Sequence, residues 1–181
     1  MAITINGSGT IAGISAGGLP LGAGGKIAQV LSITKTDTAS TTSTTAVDVS
    51  GMSITITPTS SSTKMLLLAT IGLAGTTSDD YAIHFDFGLG GSTLTAAQGD
   101  AAGNRDRVAS AFRIEHNYLP IGSCLSFLHD HNSSSNLTYS LQFSMDSNCP
   151  GSAVINRTGS DADLATRSRG ISTLIVMEVA A

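Results

Sequence analysis

The clearest pattern in the chain runs from Leu137 to Met145, where large apolar residues alternate with small polar ones without a break. Alternate side chains of a β-strand point to opposite faces, so a period of two predicts a strand with one buried face and one wet face. The positions on the apolar face are Leu137, Tyr139, Leu141, Phe143 and Met145. A sheet with one apolar face needs a second layer to cover it.

Weaker forms of the same alternation recur along the rest of the chain. Strands are expected near residues 26–34, 47–56, 65–73, 81–87, 108–115, 121–128, 152–156 and 170–179, and residues 36–45 are expected to form a loop or an edge strand. These short strands are separated by turn residues, and no segment has a helical period. The pattern predicts an all-β fold, an antiparallel β-sandwich of jelly-roll type.

Two of the expected strands are apolar on both faces, around Met65 to Leu73 and around Leu174 to Met177. An antiparallel sheet commonly leaves one face wet, so such strands indicate that both faces are covered. One interpretation is a homo-oligomer interface, for which the candidates are Met65, Leu67, Leu174 and Val176. The alternative is that both strands lie at the centre of a thick core.

Residues 1–25 differ in composition from the remainder, because isolated apolar residues stand among Gly, Ser, Ala and Thr. Such a segment cannot build a core by itself, and it would become ordered only against a partner. The sequence therefore predicts an extended attachment arm over residues 1–25 and a β-sandwich domain over residues 26–181. The arm residues expected to make contacts are Ile3, Ile5, Asn6, Gly7, Ile11, Ile14 and Leu19.

Composition narrows the classes of function. Charged residues make up 12% of the chain and the net charge is −4, so there is no basic surface for nucleic acid. No apolar run is long enough to span a bilayer, and the opening residues do not have the pattern of a secretory signal. Synthesis in a cytosol is therefore expected, with Cys124 and Cys149 as reduced thiols.

No catalytic constellation stands out above the background of Ser, Thr and Asp, so neither an enzyme nor a cofactor is expected. His129 and His131 share the spacing of strand-borne metal ligands, but they adjoin a polar loop, and a solvated turn is the favoured interpretation. The acidic pairs Asp79–Asp80 and Asp161–Asp163 lack the remaining ligands of a calcium loop.

Two polar loops are candidates for recognition of an external surface. They contain Asp100, Asn104, Arg105 and Arg107 in the first loop and His116, Asn117 and Tyr118 in the second. Such residues can bind sugars through bidentate hydrogen bonds and ring stacking. The competing interpretation, which the sequence favours, is that the charges pair with one another or with a neighbouring subunit and so fix the geometry of the loops.

Several stretches also resemble a known family. Residues 1–20, reading MAITINGSGTIAGISAGGLP, resemble the opening of tail-fibre and virion structural proteins of marine and freshwater bacteriophages, including cyanophages. The segments 35–50, 52–58, 99–105, 155–157 and 169–180 are similar to the β-rich domain that follows in that family. These are recurring phrases and not catalytic signatures.

The resemblance implies a homotrimeric virion component, assembled in the host cytoplasm, whose first 25 residues dock on other virion proteins while the sandwich projects. A tail-fibre component that binds a host-surface glycan is the first expectation. A capsid decoration or head-fibre protein is the second, and a free carbohydrate-binding or esterase-like module is the third.

Overall fold

The structure of the protein is a computed structural model that describes residues 26–180. Within that range the chain forms strands joined by loops, with a single short 3₁₀ turn at Thr95–Ala97. The strands are β1 (Ile27–Lys35), β2 (Ala39–Thr41), β3 (Val47–Ile56), β4 (Lys64–Thr76), β5 (Tyr81–Leu89), β6 (Ser92–Thr93), β7 (Ser110–Ile114), β8 (Ile121–His129), β9 (Leu137–Met145), β10 (Ala153–Ile155) and β11 (Ser172–Val179).

The strands form two antiparallel sheets. One has the order β1-β11-β4-β8, extended beside the far end of β4 by the short strands β10 and β2. The other has the order β3-β9-β5-β7, with β6 in a hairpin next to β5. The eight main strands, numbered along the chain, give the orders 1-8-3-6 and 2-7-4-5, which is the jelly-roll arrangement. The predicted antiparallel sandwich is confirmed.

The core lies between the two sheets and is made by every second residue of the central strands. From β4 and β11 it receives Met65, Leu67, Ala69, Ile71, Leu174 and Val176, and from β5 and β9 it receives Ile83, Phe85, Phe87, Tyr139, Leu141, Phe143 and Met145. The period-two pattern of the sequence therefore gives the strand bounds of β9 correctly and identifies most of its core face.

The prediction for the subunit interface names the wrong residues. Met65, Leu67, Leu174 and Val176 are each fully buried within the single chain, so they cannot contact another copy. In antiparallel register Leu67 lies opposite Val176, and both point toward the other sheet. The alternative, that they belong to the core of one sandwich, is correct for these four side chains.

The expectation of a wet face on β9 holds at Thr138 and is wrong at the other three polar positions. Ser140, Gln142 and Ser144 are buried as thoroughly as their apolar neighbours, although they point away from the core. Side chains of β3 and β6 bond to Ser140 and Gln142, and loop residues line a cavity beside Ser144. A period-two pattern reports which face meets the other sheet, but it does not report whether loops cover the opposite face.

The predicted attachment arm, with Ile3, Ile5, Asn6, Gly7, Ile11, Ile14 and Leu19, lies outside the described residues. Within residues 26–180, Cys124 is exposed and Cys149 is half-buried, and both are free thiols. No helix in this part of the chain is long and apolar enough to cross a membrane.

Candidate functional site

The outer side of the five-stranded sheet is polar, and we call it the polar face. It consists of Asp48 from β3, His84 and Asp86 from β5, and Ser140, Gln142 and Ser144 from β9. Asp48 Oδ1 accepts hydrogen bonds from Ser140 Oγ at 2.7 Å and from Gln142 Nε2 at 2.8 Å. The other amide atom of that glutamine, Oε1, accepts a bond of 2.8 Å from Thr93 Oγ1 on β6. These bonds satisfy polar groups that would otherwise be costly to bury.

Asp86 ties the loop before β7 to this face. Its Oδ1 accepts hydrogen bonds from Gln98 Nε2 at 3.0 Å and from the backbone N–H of Ala109 at 2.9 Å. Gln98 Nε2 also donates to the carbonyl oxygen of Arg107 at 2.7 Å. Burial raises the pKa of Asp86 above its ordinary value, and the two donated hydrogen bonds and nearby His84 only partly offset that rise.

A cavity of about 220 Å³ opens between the polar face and the loops that cover it. Residues 44–46 form one wall, residues 106–108 with Gln98 form another, and β5, β6 and β9 form the floor. The lining side chains are Thr44, Thr45, Ala46, His84, Asp86, Thr93, Gln98, Asp106, Arg107, Val108 and Ser144. Apart from Ala46 and Val108, every one of them carries a hydrogen-bonding group.

His84 and Asp86 occupy the floor at positions i and i+2 of β5, which place both side chains on the same face. His84 is 9% exposed, and the structure gives its ring no hydrogen-bond partner among residues 26–180. At the rim, exposed Arg107 is held by a bond of 2.7 Å from its Nε to the carbonyl oxygen of Gly99. The cavity thus presents an imidazole, a carboxylate and a guanidinium to a small polar ligand.

The first predicted recognition loop contributes one residue to this cavity. Arg107 lines it, whereas Asp100, Asn104 and Arg105 are exposed elsewhere on the same loop and are not part of the lining. Arg105 Nη1 bonds to the carbonyl oxygen of Ala102 at 3.2 Å, so this guanidinium helps to fix its own turn.

The second predicted loop lies at the other end of β7, and the structure does not bring the two loops into one site. The rings of His116 and Tyr118 stack with centroids 5.1 Å apart, and the Arg167 guanidinium lies 5.2 Å from the Tyr118 centroid. Asn117 is held through its backbone N–H, which donates to Asp79 Oδ1 at 2.7 Å. Neighbouring Leu119 and Leu164 are exposed beside this stack.

Asp79, Asp80 and Asp161, three of the four carboxylates weighed as calcium ligands, take part in ion pairs or backbone contacts. Asp80 Oδ1 lies 2.7 Å from Arg113 Nε, and Asp161 pairs with Arg169 at 2.5 Å. The hydrogen bond from Arg113 lowers the pKa of Asp80, and that from Arg169 lowers the pKa of Asp161. Across residues 26–180, no group of three or more metal-ligating side chains comes together.

His129 and His131 each have a partner within the chain. His129 Nδ1 lies 2.8 Å from the Tyr139 hydroxyl, and His131 Nε2 lies 3.2 Å from Thr63 Oγ1. His131 Nδ1 accepts a bond of 3.1 Å from the backbone N–H of Ser133. Burial lowers the pKa of His129, with His131 adding to the effect, while burial raises the pKa of Tyr139.

Sequence reasoning missed His84, Asp86 and Gln98. The available signal was a histidine and a carboxylate on alternate positions of an otherwise apolar strand, opposite the polar positions of β9. That pairing depends on the β5–β9 register, which a single sequence does not specify.

Scanned against protein-family models the chain gives no match, and a search of curated proteins finds no significant relative.

Proposed function

We propose that this chain is a bacteriophage virion structural protein, a component of a trimeric tail fibre that docks through residues 1–25 and binds a host-surface glycan in the cavity of the polar face. The resemblance of residues 1–20 and of the later segments to phage fibre proteins supports the virion assignment. The jelly roll is used by both viral capsid and lectin domains, which is compatible with the proposal but does not decide it.

The cavity is the observation on which the binding proposal rests. It is lined by donors and acceptors, and its buried floor carries the His84 imidazole and the Asp86 carboxylate. Ligands that offer several hydroxyl groups match such a lining, since each hydroxyl both donates and accepts. At about 220 Å³ the cavity is smaller than the ~300–1,000 Å³ typical of sites that enclose drug-sized molecules. It therefore suits a single sugar unit of a longer glycan.

The binding proposal is tested by titrating the full chain with a panel of neutral hexoses, amino sugars and uronic acids. Binding is detected by ligand-observed NMR. At least one sugar is expected to bind with a dissociation constant on the order of 1 mM, as a site with few contacts allows. His84→Ala should abolish that binding with little effect on folding, because no hydrogen bond within residues 26–180 depends on the ring.

Tyr118→Ala is the matched control, since it removes a ring from the other predicted loop. Binding that survives His84→Ala and is lost in Tyr118→Ala would contradict the cavity as the site and would move recognition to the His116–Tyr118 stack. Absence of binding to any sugar of the panel would contradict the glycan proposal.

A capsid decoration or head-fibre protein is the second candidate. It is favoured by exposed apolar side chains on the outer side of the six-stranded sheet, where Val30 is 52% exposed and Leu128 48%, because such side chains suit packing against other virion subunits. Immunogold labelling of intact particles, with antibodies raised against residues 26–181, separates the two. Gold at the tail is expected for a fibre component. Gold over the head would contradict the fibre proposal and support a capsid decoration or head-fibre protein.

A further inference from the structure

The outer side of the six-stranded sheet is apolar, and we call it the apolar face. The antiparallel register aligns its side chains in rows across β1, β11, β4 and β8. One row is Val30, Met177, Leu66 and Leu128, the next is Ser32, Ile175, Leu68 and Ser126, and the third is Thr34, Thr173, Thr70 and Cys124. One end of the face is therefore aliphatic, and the other end carries hydroxyl groups and a thiol.

These side chains remain in contact with solvent. Val30 is 52% exposed and Leu128 is 48% exposed, while Leu66, Leu68, Ile175 and Met177 are half-buried by their neighbours in the sheet. The largest apolar patch on a soluble domain is often its interaction site, so this face is a candidate for one.

Charge indicates which partner fits. None of the twelve positions in the three rows is charged, although the chain carries 13 acidic and 9 basic residues. At the end of the face, Lys64 is neutralised by Asp130, whose Oδ1 lies 2.9 Å from its Nζ. An uncharged face meets a copy of itself without like-charge repulsion, whereas it offers nothing to select a charged partner.

The size of the face allows three copies to associate through it. Three rows about 7 Å apart on four strands about 4.8 Å apart cover roughly 19 Å by 20 Å, on the order of 400 Å². Three such faces turned toward a common three-fold axis, with each half of a face against the other half of a neighbour's, bury on the order of 1,200 Å² in all.

We infer that the apolar face is the surface through which copies of this chain associate, with Leu66, Ile175 and Met177 on its two inner strands and Val30 and Leu128 on its two outer strands. The inference takes only the number of copies, three, from the proposed function. The face itself is defined by the strand register and by its lack of charge. It also replaces the interface residues predicted from sequence with those on the opposite side of the same strands.

The test compares the solution mass of the full chain with that of Val30→Lys/Leu128→Lys. Both positions are about half exposed, so the charges disturb a single chain little. The wild-type mass is expected to be three times the 18.3 kDa of one chain, and the variant is expected to fall to one chain. Ser50→Lys/Ser53→Lys, which adds the same charges to exposed positions of β3, is the matched control and should stay trimeric.

Cys124 supplies a second measurement that does not depend on how the variant folds. Its thiol lies on the margin of the apolar face and is exposed in the single chain. In a Cys149→Ser background, thiol labelling of the wild-type oligomer should be slow and labelling of the lysine variant should be fast. Fast labelling within an intact oligomer would overturn the inference.

The remaining outcomes are also decisive. If the lysine variant keeps the mass of the wild type, the trimer stands and the apolar face is not its interface. If the wild type has the mass of one chain, self-association is overturned, while the sugar titration still decides the binding proposal. If the wild type is a monomer and its Cys124 thiol is nevertheless labelled slowly, the inference is overturned. Residues 1–25 of the same chain would then be the segment that covers the apolar face.

Discussion

The two outer sides of this sandwich have opposite character and opposite exposure. On the five-stranded sheet most of the polar face is buried, with Gln142 at 1% exposure and bonded to side chains of β3 and β6. On the six-stranded sheet the apolar face is open, with Val30 at 52% exposure. Burial and polarity are therefore uncoupled on both sides. Hydrogen bonding compensates burial on one side, and on the other an uncovered apolar surface favours association with other chains.

The largest effect is expected from Gln142→Leu on the polar face. The change leaves Thr93 Oγ1 without its acceptor and Asp48 Oδ1 without one of its two donors. The loss of these two hydrogen bonds, at about 1 kcal/mol each, should lower the free energy of unfolding by about 2 kcal/mol. Denaturant unfolding in the Val30→Lys/Leu128→Lys background measures the effect without a contribution from association. A gain in stability would show that the polar network is dispensable for folding.

A smaller effect is expected from Glu178→Gln, which tests the inner side of the strand that carries Met177. The buried Glu178 carboxylate accepts bonds from Gln29 Nε2 at 2.6 Å and from Thr59 N, Thr59 Oγ1 and Thr63 Oγ1, each at 2.7 Å. A glutamine amide would place its donor against Gln29 Nε2. The expected loss is about 1–2 kcal/mol at neutral pH, measured by the same unfolding titration.

The same variant should change how stability depends on pH. Burial alone would raise the pKa of Glu178, but the hydrogen bonds from Thr59, Thr63 and Gln29 more than offset it, so the pKa lies below its ordinary 4.5. A group with a lowered pKa stabilises the folded state above that value and loses its contribution as the pH falls through the folded pKa. The acid-side slope should be shallower in Glu178→Gln, and an unchanged slope would contradict the role of this carboxylate.

Asp86→Asn should change the pH dependence of stability in the direction opposite to that of Glu178→Gln. Because burial raises the pKa of Asp86, its contribution to stability is greatest below its ordinary value of 3.8 and is lost as the pH rises through the folded pKa. Asparagine keeps an acceptor for Gln98 Nε2 and Ala109 N but does not ionise. Thermal unfolding over about pH 4 to 6 should show a smaller loss with rising pH in the variant than in the wild type. Equal profiles would contradict a raised pKa.

The smallest effect is expected from Ile175→Thr on the apolar face. The side chain is half-buried and a β-branched replacement keeps the strand preference, so the monomeric background should lose less than about 1 kcal/mol. In the chain without the lysine substitutions, the same change should weaken association, as followed by sedimentation at decreasing concentration. A large loss in the monomer would indicate that Ile175 supports the single-chain fold.

The contrast between the two outer sides also explains which features of the fold could be predicted from the sequence and which could not. The alternation from Leu137 to Met145 gave β9 its bounds, because the other sheet selects one face of the strand. It could not show that Gln142 is buried, since its partners Asp48 and Thr93 are remote in the chain. On β4, Met65 and Leu66 are both apolar, so no pattern reveals which of them points inward. The register with β11 decides this, and the sequence-based choice of interface residues was accordingly wrong.

The candidate site was predictable only in part, for a similar reason. Arg107 was identified because it stands in a charge-dense loop, whereas His84 and Asp86 lie within a strand and acquire their role from the residues packed above them. Arg107 and Tyr118 lie in loops at opposite ends of β7, and of these two residues Arg107 lines the cavity. Residues brought together by long-range pairing leave no local signal.

The first strand has a mechanical consequence. The backbone N–H of Ala180 donates to the carbonyl oxygen of Lys26 at 2.7 Å, and from there β1 pairs with β11 at eight positions, from Ile27 with Val179 to Lys35 with Ser172. A pull along the axis of β1 would load these eight pairs together in shear, whereas a pull across the sheet would open them one after another, beginning at Ile27. For the proposed fibre component, anchored through residues 1–25, drag along that axis would be shared by the whole β1–β11 ladder.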